Sequence, residues 1–406
     1  MTALTNRSGF ILGLLLVALL CDGFDLQLVA FAAPRLAKEW GIAADALRYV
    51  QTANLLGMMF GSMVLGNLGD RVGRKRVIVI GTLIYSVMAL LCLLARNPSQ
   101  LGALRFLTGI GLGGVLPNVI ALASEVSAGP NRARLTSIPI IGMSLGSGMP
   151  AVVAAWLVPI WGWRALFVVG GIVPIVVALV IARWLPESSQ YLQHSEQQRA
   201  PRGRIADLFT EGLGLTTPLL WLMFACTLMS MHFLNSWISV ILNQAGLSEV
   251  QTALTNGALH WGGAVAAVIT VFVLGRMGLH WALLLLLSGL AGCFTIATTG
   301  FASTTLLTTA VCMAGFGIIG CQGVLNATAG LLYPVACRPT GVGAALGVGR
   351  IGSLSGPLIG GYVLAQHLPT QSMFYVPLLP LGIAAAATAV LILRGVNVRG
   401  EGIKAR

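Results

Sequence analysis

Stretches of about 20 mostly apolar residues recur from one end of this chain to the other, and few of them hold a charge. A run of that length matches a helix crossing a bilayer, where the backbone must satisfy its own hydrogen bonds. Only 9% of the 406 residues are charged and 56% are hydrophobic, whereas a soluble domain is about 25% charged. The expected fold class is therefore an all-α polytopic membrane protein embedded in a lipid bilayer. Twelve transmembrane helices are expected, at about 10–33, 48–69, 77–95, 101–124, 136–159, 164–184, 216–242, 253–275, 280–300, 304–331, 340–365 and 372–394. The first run is read as a span and not as a cleaved leader, because it carries two aspartates and many similar runs follow it.

One long polar interval, from Pro186 to about Gly214, divides the spans six and six. The expected organisation is an N-terminal six-helix bundle (1–186), a linker (187–214) and a C-terminal six-helix bundle (215–406). Of the 24 Lys and Arg residues, Arg105 and Arg350 fall inside spans. Arg35, Lys38, Arg48, Arg96 and Arg164 fall on one side, and all the others fall on the opposite side. That bias places both termini and the linker in the cytoplasm. It also accounts for the net charge of +12 without a nucleic-acid partner, since the basic residues flank apolar segments. The seven cysteines lie in or beside spans with no Cys-x-x-Cys spacing, so they read as small packing residues and no metal site is expected.

The two halves echo each other. Arg105-Phe-Leu-Thr-Gly109-Ile-Gly111 on span four is matched by Val311-Cys-Met-Ala-Gly315-Phe-Gly317 on span ten, with Arg132 and Arg338 following at the same separation. Asp70-Arg71-Val72-Gly73 is matched by Gly275-Arg276-Met277-Gly278. Two six-span halves of like orientation, with a site near the midplane, are a secondary-transporter plan.

Several residues are expensive where they stand. Asp22 and Asp25 lie three residues apart in the first span, and an intramembrane acid costs roughly 2.5–3.5 kcal/mol on insertion scales. At that spacing both can point into one interior cavity. Arg105 and Arg350 are the intramembrane cations; a guanidinium fork suits a carboxylate. Arg350, among glycines, can hold a substrate carboxylate, form a structural or gating pair, or snorkel. Arg105 leans towards proton coupling or an acid pair. Glu125, near the cytoplasmic end of span four, can pair with Arg132, Arg134 or Arg76 as a gate, take part in proton movement, or be a solvated acid. His232 and His260 read first as core histidines, with proton relay as the other reading. Phe24, Asn235, Trp237, Gln322, Asn326 and Tyr333 are polar or aromatic residues on candidate cavity helices, with ordinary packing at least as open. No phosphate-binding Gly-Lys-Ser/Thr loop and no catalytic dyad is present, so neither ATP drive nor an enzyme is expected.

Gly66-Asn-Leu-Gly-Asp70-Arg71-Val-Gly73-Arg74-Lys75 matches every defined position of Gly-x-x-x-Asp-Arg-x-Gly-Arg-(Arg/Lys). It resembles the signature loop of the major facilitator superfamily. Arg105 with Gly109 resembles that superfamily's fourth-helix motif, and Pro186-Glu187-Ser188 resembles its Pro-Glu-Ser box. Asp22-Gly-Phe-Asp25, Ser124-Glu125 before Arg132 and Arg134, and Gly349-Arg350-Ile-Gly352 through Gly361 resemble the aromatic acid:proton symporters. Gly275 replaces the acid of the second signature loop.

The resemblance implies a major facilitator fold and a carrier in the bacterial inner membrane, monomeric and without cofactor, driven by the proton gradient. The implied activity is uptake of an aromatic carboxylate such as a benzoate, hydroxybenzoate or hydroxyphenylpropionate. Asp22, Asp25 and Glu125 would couple the proton. Arg350, Arg105, Phe24, Asn235, Trp237, Gln322 and Asn326 would meet the substrate, and Asp70, Arg71, Gly73, Arg74 and Arg132 would gate. Drug or metabolite efflux within the same fold is the alternative. Its Gly-x-x-x-Gly-Pro-x-x-Gly-Gly pattern is absent from span five and appears instead from Gly352 to Gly361 on span eleven. A membrane sensor is a third reading, disfavoured by the short loops.

Overall fold

The computed structural model describes residues 6–127, 132–188, 208–209, 213–301, 303–333, 338–366 and 368–396. Among these, twelve long helices follow in order: α1 (Asn6–Trp40), α2 (Arg48–Val72), α3 (Arg74–Leu91), α4 (Pro98–Val126), α5 (Arg132–Trp161), α6 (Arg164–Trp184), α7 (Thr216–Gln244), α8 (Glu249–Met277), α9 (Leu279–Thr299), α10 (Thr304–Leu332), α11 (Arg338–Leu364) and α12 (Leu378–Leu393). Eleven of them are long and apolar enough to cross a membrane, α12 being counted with the 3-10 turn before it. The exception is α2, whose Gln51, Asn54, Ser62, Asn67 and four glycines lower its hydropathy.

The chain forms two compact units. One comprises Met1–Gln198 with Leu247–Gly257, the other Arg199–Gly246 with Ala258–Arg406. Most of the expected linker lies outside the described residues, but its first two residues, Glu187 and Ser188, are fixed in the first unit. The opening turns of α8 also group with the first unit, where Glu249 pairs with Arg35.

In the first unit α1 runs along α5, α2 along α4, and α3 packs on α4 and α6. In the second, α7 runs along α11, α9 along α10, and α12 packs on α7 and α9. Small residues set these contacts, as expected where lipid supplies no hydrophobic drive between helices. A Cβ on Gly109 of α4 would lie 2.2 Å from Asn54 O of α2, and one on Gly315 of α10 would lie 1.8 Å from Leu259 O of α8. Two residues on, Gly111 meets the α3 backbone at Gly81 O and Tyr85 N, and Gly317 meets the α9 backbone at Leu285 O and Gly289 N. The N-caps correspond too: Asn97 accepts from Gln100 N at the start of α4, and Ser303 accepts from Leu306 N at the start of α10. The internal repeat is therefore a repeat of packing as well as of residues.

Candidate functional site

The first unit holds a buried charge centre on α1, α3 and α4. Arg105 of α4 is fully buried and turned on Asp25 of α1, itself fully buried. Nη1 donates to Asp25 Oδ1 at 3.0 Å, and Nη2 lies 2.9 Å from Oδ2 and donates to the Asp25 carbonyl at 3.0 Å. The planar fork thus holds both the carboxylate and the backbone of α1. Asp22, 2% exposed, looks elsewhere. The group beside it is the Tyr85 hydroxyl of α3, near enough to interact but outside hydrogen-bond geometry.

Three expectations change here. Asp22 and Asp25 turn to different partners: the angle between i and i+3 sends one to Tyr85 of α3 and the other to Arg105 of α4. Arg105 is occupied by Asp25, so the acid pair left open for it is what the structure contains, and it is fully buried with Nε left without a hydrogen-bond partner. Phe24 is buried with its ring against Gly170 of α6, which makes it a packing residue of this unit. Gly23, between the two aspartates, lets α5 approach: a Cβ there would lie 2.1 Å from Met143 O.

A second cluster sits where α2 turns into α3. Gly73 has φ +107, a conformation that favours glycine, and it links two helices with no residue between them. The Glu187 carboxylate packs on Gly73 and accepts from the backbone N–H of Lys75 at 2.9 Å, so an acid stands at the α3 N-terminus. Next to it, Ser188 Oγ lies 2.8 Å from both carboxylate oxygens of Glu125, and Arg74 is ion-paired to Glu125. Arg74, which the sequence did not single out as a partner of Glu125, pairs with it because the start of α3 meets the end of α4; of the expected partners Arg76, Arg132 and Arg134, Arg76 is exposed. The side chains of Asp70, Arg132 and Arg134 lie outside the described residues, and Arg71 is exposed.

In the second unit Arg350 stands half-buried on α11. Its neighbours Gly349 and Gly352 press α11 onto Leu228 and Ala225 of α7, and His232 of α7 is within electrostatic reach. Among the described residues no carboxylate pairs with Arg350. Gln322 of α10 is half-buried with Oε1 3.4 Å from Thr227 Oγ1, Asn326 is exposed one turn further, and Asn235 of α7 is buried with Oδ1 unpaired. Trp237 takes the packing alternative. It is 2% exposed, its indole N–H donates to Pro357 O of α11 at 3.0 Å, and its ring lies against Gly360. It pins α7 to α11 instead of presenting a ring to substrate. Tyr333 is buried against Gly341, and His260 is buried.

The sequence reading passed over Tyr85 and gave Glu187 and Ser188 no site role. The signal for Tyr85 was present: Thr82, Tyr85 and Ser86 put three hydroxyls on one face of an otherwise apolar α3. Among the described residues no group of three His, Cys, Asp or Glu is placed to hold a metal ion.

Comparison with known proteins places this architecture. Residues 15–350 match the model of the Major Facilitator Superfamily. The chain is 33% identical to the gallate transporter of Pseudomonas putida, covering 96% of this chain and 92% of that one. It is 34% identical to the 3-(3-hydroxy-phenyl)propionate transporter of Escherichia coli, covering 96% and 94%. Among solved structures, a bacterial homologue of the human lysosomal transporter Spinster, in an inward-facing and occupied conformation, superposes with a TM-score of 0.75 at 18% identity, covering 96% of this chain and 97% of that one. The chain is therefore a member of the Major Facilitator Superfamily, and within it belongs with the aromatic acid transporters that these two relatives represent.

Proposed function

We propose that this transporter takes up an aromatic carboxylate in symport with a proton, across a bacterial inner membrane and with both termini in the cytoplasm. The observation that carries the reading is Arg350. A half-buried guanidinium on a membrane helix without a described carboxylate partner is suited to take one from a substrate. Benzoates, hydroxybenzoates, gallate and hydroxyphenylpropionates all present that group on an aromatic body. Gln322, Asn326 and Asn235 supply amide groups in the same unit for ring substituents.

The proton belongs to the first unit, where Asp22 and Asp25 are buried on α1. A carboxylate taken up against an inside-negative potential needs an accompanying positive charge, and an intramembrane acid is the ordinary place for it. The Arg74–Glu125–Ser188 cluster serves as a latch whose making and breaking accompanies the transport cycle, with Asp70, Arg71, Gly73 and Arg132 as its surroundings. The proton gradient is the only drive required.

The purified carrier in liposomes tests this. Under an imposed proton gradient, inside alkaline, it accumulates at least one of labelled benzoate, 4-hydroxybenzoate, gallate and 3-(3-hydroxyphenyl)propionate, and a protonophore abolishes accumulation. Extrusion of these compounds, or of cationic drugs, in exchange for protons would replace symport by efflux.

A further inference from the structure

We propose that Asp22 alone is the exchangeable carboxyl of the first unit, positioned by the Tyr85 hydroxyl, while Asp25 and Arg105 remain a fixed pair. The proposal rests on the symport reading and divides labour between two acids which that reading treats together.

The argument is one of neighbours. Asp25 is ion-paired to one guanidinium, which donates to its Oδ1 and to its backbone carbonyl and lies 2.9 Å from its Oδ2. Protonating it would leave Arg105 charged, fully buried and stripped of its counter-charge, the costly outcome for a buried pair. Asp22 has no such partner. Tyr85 faces it from α3. On α1 its titratable neighbours are Cys21 and Asp25. From α4 the nearby cation is Arg105, already committed to Asp25. Where α5 approaches this turn, at Gly23, it brings the backbone of Met143 and Ser147, and α6 brings Gly170 against Phe24; neither adds a titratable group there. Asp22 can therefore gain or lose a proton without any ion pair being broken.

Tyr85 suits both of its states. A phenol hydroxyl is one donor and also an acceptor. It can donate to the ionised carboxylate and accept from the protonated acid. Both Tyr85 OH and Asp22 Oδ1 are buried with no hydrogen-bond partner, so each is available to the other after a small side-chain adjustment. Gly111 of α4 lies against the Tyr85 backbone and Cβ, which holds α3 close at this point, and the Tyr85 side chain is fully buried. The step is a proton transfer and nothing else: the acid takes a proton from water on the outer side and returns it to water on the inner side.

The test uses the full-length carrier in liposomes with labelled 4-hydroxybenzoate and gallate. Two readouts are compared, accumulation under a proton gradient and substrate exchange at equal pH, which needs no net proton movement. Asp22→Asn is expected to lose at least tenfold in accumulation while exchange stays measurable. Tyr85→Phe keeps exchange but moves the pH of half-maximal accumulation by about 0.5 unit or more; a role in packing alone would lower both readouts together and leave that pH in place. Asp25→Asn leaves Arg105 unpaired and is expected to lower the unfolding temperature and both readouts. The double variant Asp25→Asn with Arg105→Gln removes both charges together, and it should recover stability and gradient-driven accumulation. Accumulation by Asp22→Asn equal to wild type overturns the proposal. So does a stable double variant that exchanges but no longer accumulates, and so does an unmoved pH profile in Tyr85→Phe. If the wild-type protein exchanges these substrates but never accumulates them, the symport reading itself fails and the proposal goes with it.

Discussion

Two arginines in this protein have the same side chain and opposite circumstances. Arg105 is enclosed and spends its fork on Asp25; Arg350 is half-buried and pairs with no described acid. Only the second stands partly open to a substrate carboxylate. Arg350→Lys keeps the charge but replaces the planar fork by a point donor. The expected result is a rise of about tenfold in KM for uptake, roughly 1.4 kcal/mol of binding, with protein yield unchanged. An unchanged KM would remove Arg350 from the substrate site. Trp237 makes the converse case. Its N–H is already bonded to Pro357 O and its ring fills the space beside Gly360. Trp237→Phe should therefore destabilise the carrier by about 1 kcal/mol through one lost buried hydrogen bond, together with some lost packing. It should lower the unfolding temperature and leave KM alone. A changed preference among ring substituents with unaltered stability would return Trp237 to the substrate site.

At the level of helices, fold and site were legible to different depths. The spans could be read because a bilayer imposes one length and one polarity on every crossing segment. The repeat could be read because Gly109 and Gly315, like Gly111 and Gly317, stand where neighbouring backbones touch, and no other residue fits there. Side-chain partnerships could not be read in the same way. Whether Asp22 meets Arg105 or Tyr85, and whether Arg74 reaches Glu125, depends on the rotation of each helix about its axis, which hydropathy leaves open. Glu187 and Ser188 were recognised as a motif, but their work is three-dimensional: Glu187 reaches a turn more than a hundred positions earlier in the chain, and Ser188 reaches the end of α4. The glycine contacts give an element-scale prediction. Gly109→Val and Gly315→Val each force a side chain against a neighbouring backbone oxygen, at the upper end of the ~1–3 kcal/mol typical of overpacking. If the repeat is one of packing, the two variants should lose similar amounts of folded protein in detergent size-exclusion profiles. A large loss at one site and none at the other would mean that the halves do not depend on equivalent contacts.

For the whole molecule, equivalence of packing makes the chemical difference between the halves plain. Leu16 and Leu20 of α1 take the contacts from Gly142 and Gly146 of α5 that Ala225 and Met229 of α7 take from Gly352 and Gly356 of α11. Counting on from those contacts, Asp22 and Asp25 correspond to Met231 and Leu234. On the same basis Arg105 corresponds to Val311, and Tyr85 to Gly289. The second unit is apolar at each of these four places, and its own intramembrane cation, Arg350, matches Ile140 of the first. Duplicated architecture thus carries unduplicated chemistry, and the proposed symport puts the proton in one half and the carboxylate anchor in the other. For import, protons and substrate must both enter from the outer side, so the direction of the whole scheme depends on topology. The basic residues argue that the turn at Gly73 and the end of α12 are cytoplasmic, and that the turn between α1 and α2 is external. Ala43, in that α1–α2 turn, and Arg394, just past α12, are both exposed. In a background with the native cysteines replaced, Ala43→Cys should react with an impermeant maleimide in intact cells, and Arg394→Cys only after the membrane is opened. The reverse pattern would invert the carrier, place the Arg74–Glu125–Ser188 latch on the outer face, and turn the same residues into a route for export.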